Sequence, residues 1–186
     1  MPTRTLHPHE LLEVQPIFGV GLDTARVIIS EGDALPNWVG RIGAFLKRQS
    51  APLENAITIG NTSYFPRALT TETRDLAWLI HELTHQWQYQ HFGIRYLFEA
   101  LRAPTYAYAN VGELLDVALK RFWNANTKFS DFNREQQGDI VRDYFYALKD
   151  PSTSADLTAW EPYLHDLQTP IASQQKTVYG IHTVDC

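Results

Sequence analysis

Apolar residues in the middle of the chain recur with a helical period. Leu76, Ile80, Leu83 and Trp87 fall at i, i+4, i+7 and i+11, which puts them on one stripe of a helix. That helix can begin at Thr71 or Thr73, with Asp75 favourable near its positive end, and Gly93 is suited to end it. Just upstream the period changes. Ala56–Ile59 and Ser63–Phe65 have strand character, Gly60-Asn61 is a turn pair, and Pro66 is a stop, so a hairpin is predicted before the helix. "TARVIIS" (24–30) reads as a buried strand followed by a turn over 31–35. Segments 36–49, 94–101, 112–125 and 133–150 read as helices, the last capped by Asn133, with an aromatic connector at 103–110. "HPHELLEVQPIFG" (7–19) predicts a short helix broken near Pro16 and Gly19. Gly138 lies inside the 133–150 helix at a cost of about 1 kcal/mol against alanine, which predicts a close approach there. Beyond Pro151 the chain is rich in Pro, Ser, Thr and Gln, and no element is assigned. The expected fold is α+β and helix-rich, with a small β-sheet or hairpin preceding the central helix.

With 186 residues, 44% of them hydrophobic and 20% charged, the expectation is one globular domain over 1–186, with 151–186 a less defined C-terminal extension. A net charge of −5 and no Lys/Arg run argue against nucleic acid as a partner. The single cysteine, Cys186, excludes an intrachain disulfide and a cysteine-rich zinc site. No run of about 18 apolar residues predicts a membrane span. Residues 1–19 lack the apolar core of a secretory signal, so the compartment stays open, and action outside the producing cell would need another route.

The central helix carries H-E-x-x-H as His81, Glu82 and His85. Four residues separate the histidines, which on a helix sets them about 40° apart in angle and about 6 Å apart along the axis. Both imidazoles can then reach one metal ion, and Glu82 can hold a proton beside a metal-activated water. At this composition the motif arises by chance in roughly one sequence in a hundred, and two surface histidines on a helix would look the same. Here, however, the histidines lie off the apolar stripe, on a face that could line a cleft.

Three kinds of third ligand compete. His91 occupies the last position of the extended pattern H-E-x-x-H-x-x-G-x-x-H, but Gln88 stands where that pattern needs its helix-breaking glycine. On a continuous helix His91 is about 120° off the ligand face and about 9 Å further along. The methionine turn of that class is also excluded, since Met1 is the only methionine. Cys186 would supply a thiolate, without the usual local pattern. The third solution is a carboxylate on another helix: Glu135 and Asp139 are four apart and share a face, with Asp139 or Asp143 as substitute ligands. Glu135-x-x-x-Asp139 resembles the corresponding element of the thermolysin-like gluzincins. That resemblance implies Glu135 as zinc ligand and Asp139 as the residue that orients a ligand histidine. Tyr106, Tyr108, Tyr144, Tyr146 and His165 are candidates by type for stabilising an oxyanion, and the Ala56–Gly60 strand could pair with an extended peptide.

"AITIGNTSYF", "WLIHELTHQWQYQ" and "FNREQQGDIVRDYF" together resemble the metallopeptidase domains associated with Vgr and Rhs proteins of bacterial type VI secretion, over about residues 10–150. They are similar, more loosely, to "HELTH"-containing domains linked to contractile injection systems. The resemblance implies a zincin-like fold and a Zn2+ site of His81, His85 and Glu135 with Glu82 as base. It implies a peptide or protein substrate, delivery as a toxin or effector by a secretion apparatus, and partners such as an immunity protein or an apparatus component. The function expected is therefore that of a zinc metallopeptidase. The rival expectations are a non-catalytic, metal-stabilised interaction module of a secretion system and a zinc amidase acting on a non-protein amide.

Overall fold

The computed structural model describes residues 3–32, 56–101 and 107–170. The expected helix over 36–49, Tyr106, Cys186 and the last sixteen residues of the tail (171–186) lie outside these.

The fold is α+β, with a small sheet set before the H-E-x-x-H helix, as expected. In chain order the elements are strand β1 (Thr3–Arg4), helix α1 (Pro8–Phe18), strands β2 (Ile28–Glu31), β3 (Ile57–Ile59) and β4 (Thr62–Phe65), then helices α2 (Thr73–Phe92), α3 (Arg95–Leu101), α4 (Leu115–Asn124), α5 (Arg134–Lys149) and α6 (Glu161–Gln168). The sheet order is β1-β2-β4-β3: β2 runs parallel to β4, and β1 and β3 are antiparallel to their neighbours.

The predicted hairpin is β3–β4, with Ile59 opposite Thr62 and Gly60 at a positive φ of 67° in the two-residue turn. Its inward face is Thr58, Ser63 and Phe65, all buried, while Ile59 on the other face is exposed. Two strand and helix expectations need correction. Residues 24–26 form a 3-10 turn, held by the Asp23 carboxylate accepting from the Ala25 N–H, and strand begins only at Ile28. Pro16 does not break α1, which continues to Phe18 and stops at Gly19 with φ +52°. The carbonyl that Pro16 leaves without an N–H belongs to Leu12, which is 75% exposed, so water can satisfy it.

Helix α2 is the central element. Its stripe Leu76, Ile80, Leu83 and Trp87 is buried as predicted, but so are Glu82, Thr84, His85, Gln86, Gln88, Gln90 and His91. The sheet lies against one side and α5 along another, its most extensive neighbour. Polar residues survive on every side because each finds partners. Gln90, for example, accepts from the Asp23 N–H and donates to the Asp23 carbonyl and to Asn61. The unassigned stretch after Pro151 contributes core. Trp160, Tyr163 and Leu167 are buried, the Trp160 indole donates to the Ile140 carbonyl at 3.0 Å, and the Trp87 indole donates to Leu167 at 3.1 Å.

Candidate metal centre

Helix α5 starts at a capping box. The Asn133 side chain accepts from the Gln136 N–H at 2.9 Å, and Gln136 accepts from the Asn133 N–H at 3.2 Å. This fixes Glu135 in the first turn, where the positive end of the helix favours a carboxylate. Gly138, one turn on, faces His81. A Cβ there would sit 2.7 Å from His81 Cε1 and 2.9 Å from Nδ1, so the close approach predicted at this glycine is that of the His81 ring.

The result is a convergence. His81 Nε2 lies 3.6 Å from one Glu135 oxygen and His85 Nε2 lies 3.6 Å from the other. The three residues could hold a metal ion, their donor atoms all within 4.8 Å of one another. Zinc with ligands at about 2.0–2.1 Å in tetrahedral arrangement sets neighbouring donors about 3.3–3.4 Å apart, closer than the 4.8 Å within which the three donors lie, so the side chains would draw together around the ion. Two imidazoles and one carboxylate are also a donor set of the right hardness for that ion.

The tautomer of His85 follows from its surroundings. Gln137 donates both amide hydrogens, to the carbonyls of Phe129 (2.9 Å) and Phe132 (3.0 Å), so its oxygen is free to accept. It accepts from Gln88 Nε2 at 2.9 Å, and Gln88 Nε2 also donates to the Arg134 carbonyl. Gln88 therefore presents its oxygen to His85 Nδ1, 2.8 Å away, which keeps a proton on Nδ1 and turns Nε2 towards Glu135. His81 Nδ1 is 3.1 Å from Asp139 Oδ1, within ion-pair distance but off the line of a good ring N–H hydrogen bond. Asp139 is also gripped by Arg142, which bonds Asp143 at 2.8 Å as well.

Burial opposes charge on both histidines, yet the carboxylates outweigh it. Against the burial penalty, Asp139 and Glu135 raise the His81 pKa to about 10, and Glu135 raises that of His85. Burial likewise opposes ionisation of Glu135, and the two histidines nonetheless hold it well below the usual carboxylate range. The cluster thus has a strong demand for positive charge, which a divalent cation or protons can meet.

Glu82 is buried and accepts from Thr58 Oγ1 of β3 at 2.7 Å. His91 points elsewhere: Nε2 meets the Gly21 carbonyl at 2.8 Å, and the ring packs on Trp87 with centroids 4.4 Å apart. Asp143 is engaged by Arg142 and by the Tyr108 hydroxyl, outside the cluster. Among the described residues, none of Tyr108, Tyr144, Tyr146 or His165 hydrogen-bonds to His81, Glu82, His85 or Glu135. Sequence reasoning missed Gln88, Thr58 and Tyr96, whose ring stacks on His85 (centroids 6.2 Å) and whose hydroxyl donates to the Thr58 carbonyl. Gln88 alone carried a signal, since i+3 from His85 places it beside that ring.

Over 149 residues the chain is 31% identical to the type VI secretion system spike protein VgrG2b of Pseudomonas aeruginosa. The alignment takes in 76% of this chain. It covers only 13% of that protein. No protein-family profile and no solved structure matches the chain. Among the described residues no helix is long and apolar enough to cross a membrane.

Proposed function

We propose that this chain is a zinc-dependent peptide hydrolase of gluzincin type that works in association with a type VI secretion system. The observation that carries the reading is the convergence of His81 Nε2 and His85 Nε2 on the two Glu135 oxygens, with the Glu82 carboxylate one residue from the first ligand. The likeness to a stretch of a spike protein supports delivery by that apparatus. A spike component and, in the producing cell, an immunity protein are the partners this route implies.

In this reading His81, His85 and Glu135 hold the ion, while Asp139 and Gln88 keep the two imidazoles facing it. When bound, zinc supplies the Lewis acidity that polarises a carbonyl and acidifies water. Strand β3 is an edge of the sheet among the described residues, and an extended peptide can pair with it. Glu82 takes a proton from water as its oxygen adds to the peptide carbonyl carbon. It returns that proton to the amide nitrogen as the C–N bond breaks, leaving an amine and a carboxylic acid, whose remaining proton passes to the amine or to solvent.

The test is Glu82→Gln, which keeps the size and hydrogen-bonding capacity of the side chain but removes the base. Zinc affinity should stay within about threefold of wild type, while hydrolysis of labelled casein should fall by at least 100-fold, at the low end of the range for a general base. Full activity in Glu82→Gln would exclude this mechanism. A zinc-binding wild type that cleaves no casein would favour the interaction module, or an amidase if cell-wall amides are cleaved instead.

A further inference from the structure

Glu82 is held by a chain of hydrogen bonds whose direction can be deduced. Gln86, one turn further along α2, places Nε2 2.7 Å from Ser63 Oγ and 3.2 Å from the Ile28 carbonyl. An amide nitrogen can only donate, and the flipped amide would set its oxygen against that carbonyl, so the orientation is fixed. Ser63 Oγ accepts from Gln86 and lies 2.7 Å from Thr58 Oγ1. Thr58 Oγ1 in turn lies 2.7 Å from Glu82 Oε2, and 3.3 Å from the Glu82 carbonyl. A carboxylate can only accept, so the Thr58 proton goes to Glu82 and the Ser63 proton goes to Thr58. All three links point towards Glu82, an arrangement in which each bond polarises the next. The chain is sealed, because Thr58, Ser63 and Gln86 are each no more than 3% exposed.

We propose that Thr58, backed by Ser63 and Gln86, is a positioning residue that fixes the Glu82 carboxylate in one orientation, with Oε2 occupied by the threonine hydroxyl and Oε1 left to receive the proton of water. The inference rests on reading Glu82 as the base. Thr58 sits in the middle of β3, and Tyr96 anchors the same residue from the other side through its carbonyl at 2.6 Å. The strand that would receive an extended peptide is therefore the strand that holds the base, so docking and proton transfer share one rigid element.

The experiment compares wild type, Thr58→Val, Thr58→Ser and Ser63→Ala. Zinc affinity should be unchanged in all of them, since no ligand is touched. Thr58→Val should lower kcat on labelled casein by about tenfold or more, the weight of a hydrogen bond to a charged group, with KM nearly constant. Thr58→Ser should restore it, and Ser63→Ala should show a smaller loss of the same sign. A second readout needs no turnover. In the zinc-free protein the buried Thr58 hydroxyl proton should exchange slowly enough for detection by NMR, and its resonance should move in Glu82→Ala. If wild type cleaves casein and Thr58→Val matches its kcat, the positioning role is overturned while the peptidase reading stands. If wild type cleaves nothing but the hydroxyl resonance responds to Glu82, the hydrogen-bond chain stands and the peptidase reading falls. A hydroxyl resonance indifferent to Glu82 overturns the chain itself.

Discussion

At Gly138 one methyl group would reach the site. Its Cβ would press on the His81 ring at 2.7 Å and the ring would have to turn away from Glu135, whereas alanine in a helix interior is itself favourable by about 1 kcal/mol. Gly138→Ala should therefore weaken zinc binding at least tenfold by competition with a chromogenic chelator, with little change in the melting temperature of the metal-free protein. An unchanged affinity would remove His81 from the ligand set. Gln88→Leu is the corresponding test on His85. It frees the Nδ1 tautomer and should cost between about tenfold and 100-fold in affinity, the usual weight of such a support, by the same titration. Helical spacing makes the His81–His85 pair and the Glu135–Asp139 pair legible in the sequence, each on one helix face, whereas the choice of Glu135 over His91 as third ligand rests on the gluzincin resemblance. Thr58 is not legible in the same way, because its partner Glu82 lies 24 residues away and meets it only through packing. Gln88 is legible only in part: the helix places it beside His85, but Gln137, which orients its amide, lies 49 residues away.

At the scale of elements, two anchors hold α2. Its first turn carries Asp75, which is buried and receives both Arg67 nitrogens (2.7 and 2.6 Å) and the Thr70 N–H. Arg67, first, and then Thr70 hold the Asp75 carboxyl well below its ordinary value of 3.8, although burial works the other way. A depressed folded value means that the contribution to stability is complete above about pH 4 and fades as pH falls towards the folded value. Asp75→Asn should thus destabilise the protein by about 1–2 kcal/mol in urea titrations at pH 7, allowing for the partly exposed arginine. The gap between variant and wild type should narrow at pH 3. An equal gap at both pH values would mean that the ion pair contributes nothing. The second anchor is α6, whose Leu167 carbonyl accepts from the Trp87 indole of α2 at 3.1 Å and also lies against Gly21, just after α1. A Cβ on Gly21 would lie 1.7 Å from the Leu167 carbonyl oxygen, a backbone atom that cannot swing aside. Gly21→Ala should cost about 3 kcal/mol in the same titrations, in the range of severe overpacking. Helix α6 was illegible because it is short and its signal, Trp160, Tyr163, Leu164 and Leu167, occupies barely two turns. The hairpin and α2 were legible because turn chemistry and a long apolar stripe each specify one local answer. Pro16 misled because its cost depends on whether the orphaned carbonyl faces water, which only the packed structure decides.

Taken whole, the molecule places a site with a high demand for positive charge at the junction of its sheet edge, its central helix and α5. Occupancy by zinc should therefore couple to stability. At free zinc one hundred times the dissociation constant, the folded state should gain about 2.7 kcal/mol, read as a higher melting temperature that chelation reverses. The most direct measurement is zinc affinity and stoichiometry by calorimetry for wild type beside Glu135→Gln, which keeps the side chain's shape and removes its charge. The account predicts one zinc per wild-type chain and a loss of at least 100-fold in affinity in the variant, as removal of one of three protein ligands requires. Wild type without a zinc site, or a variant that binds as tightly as wild type, would contradict it.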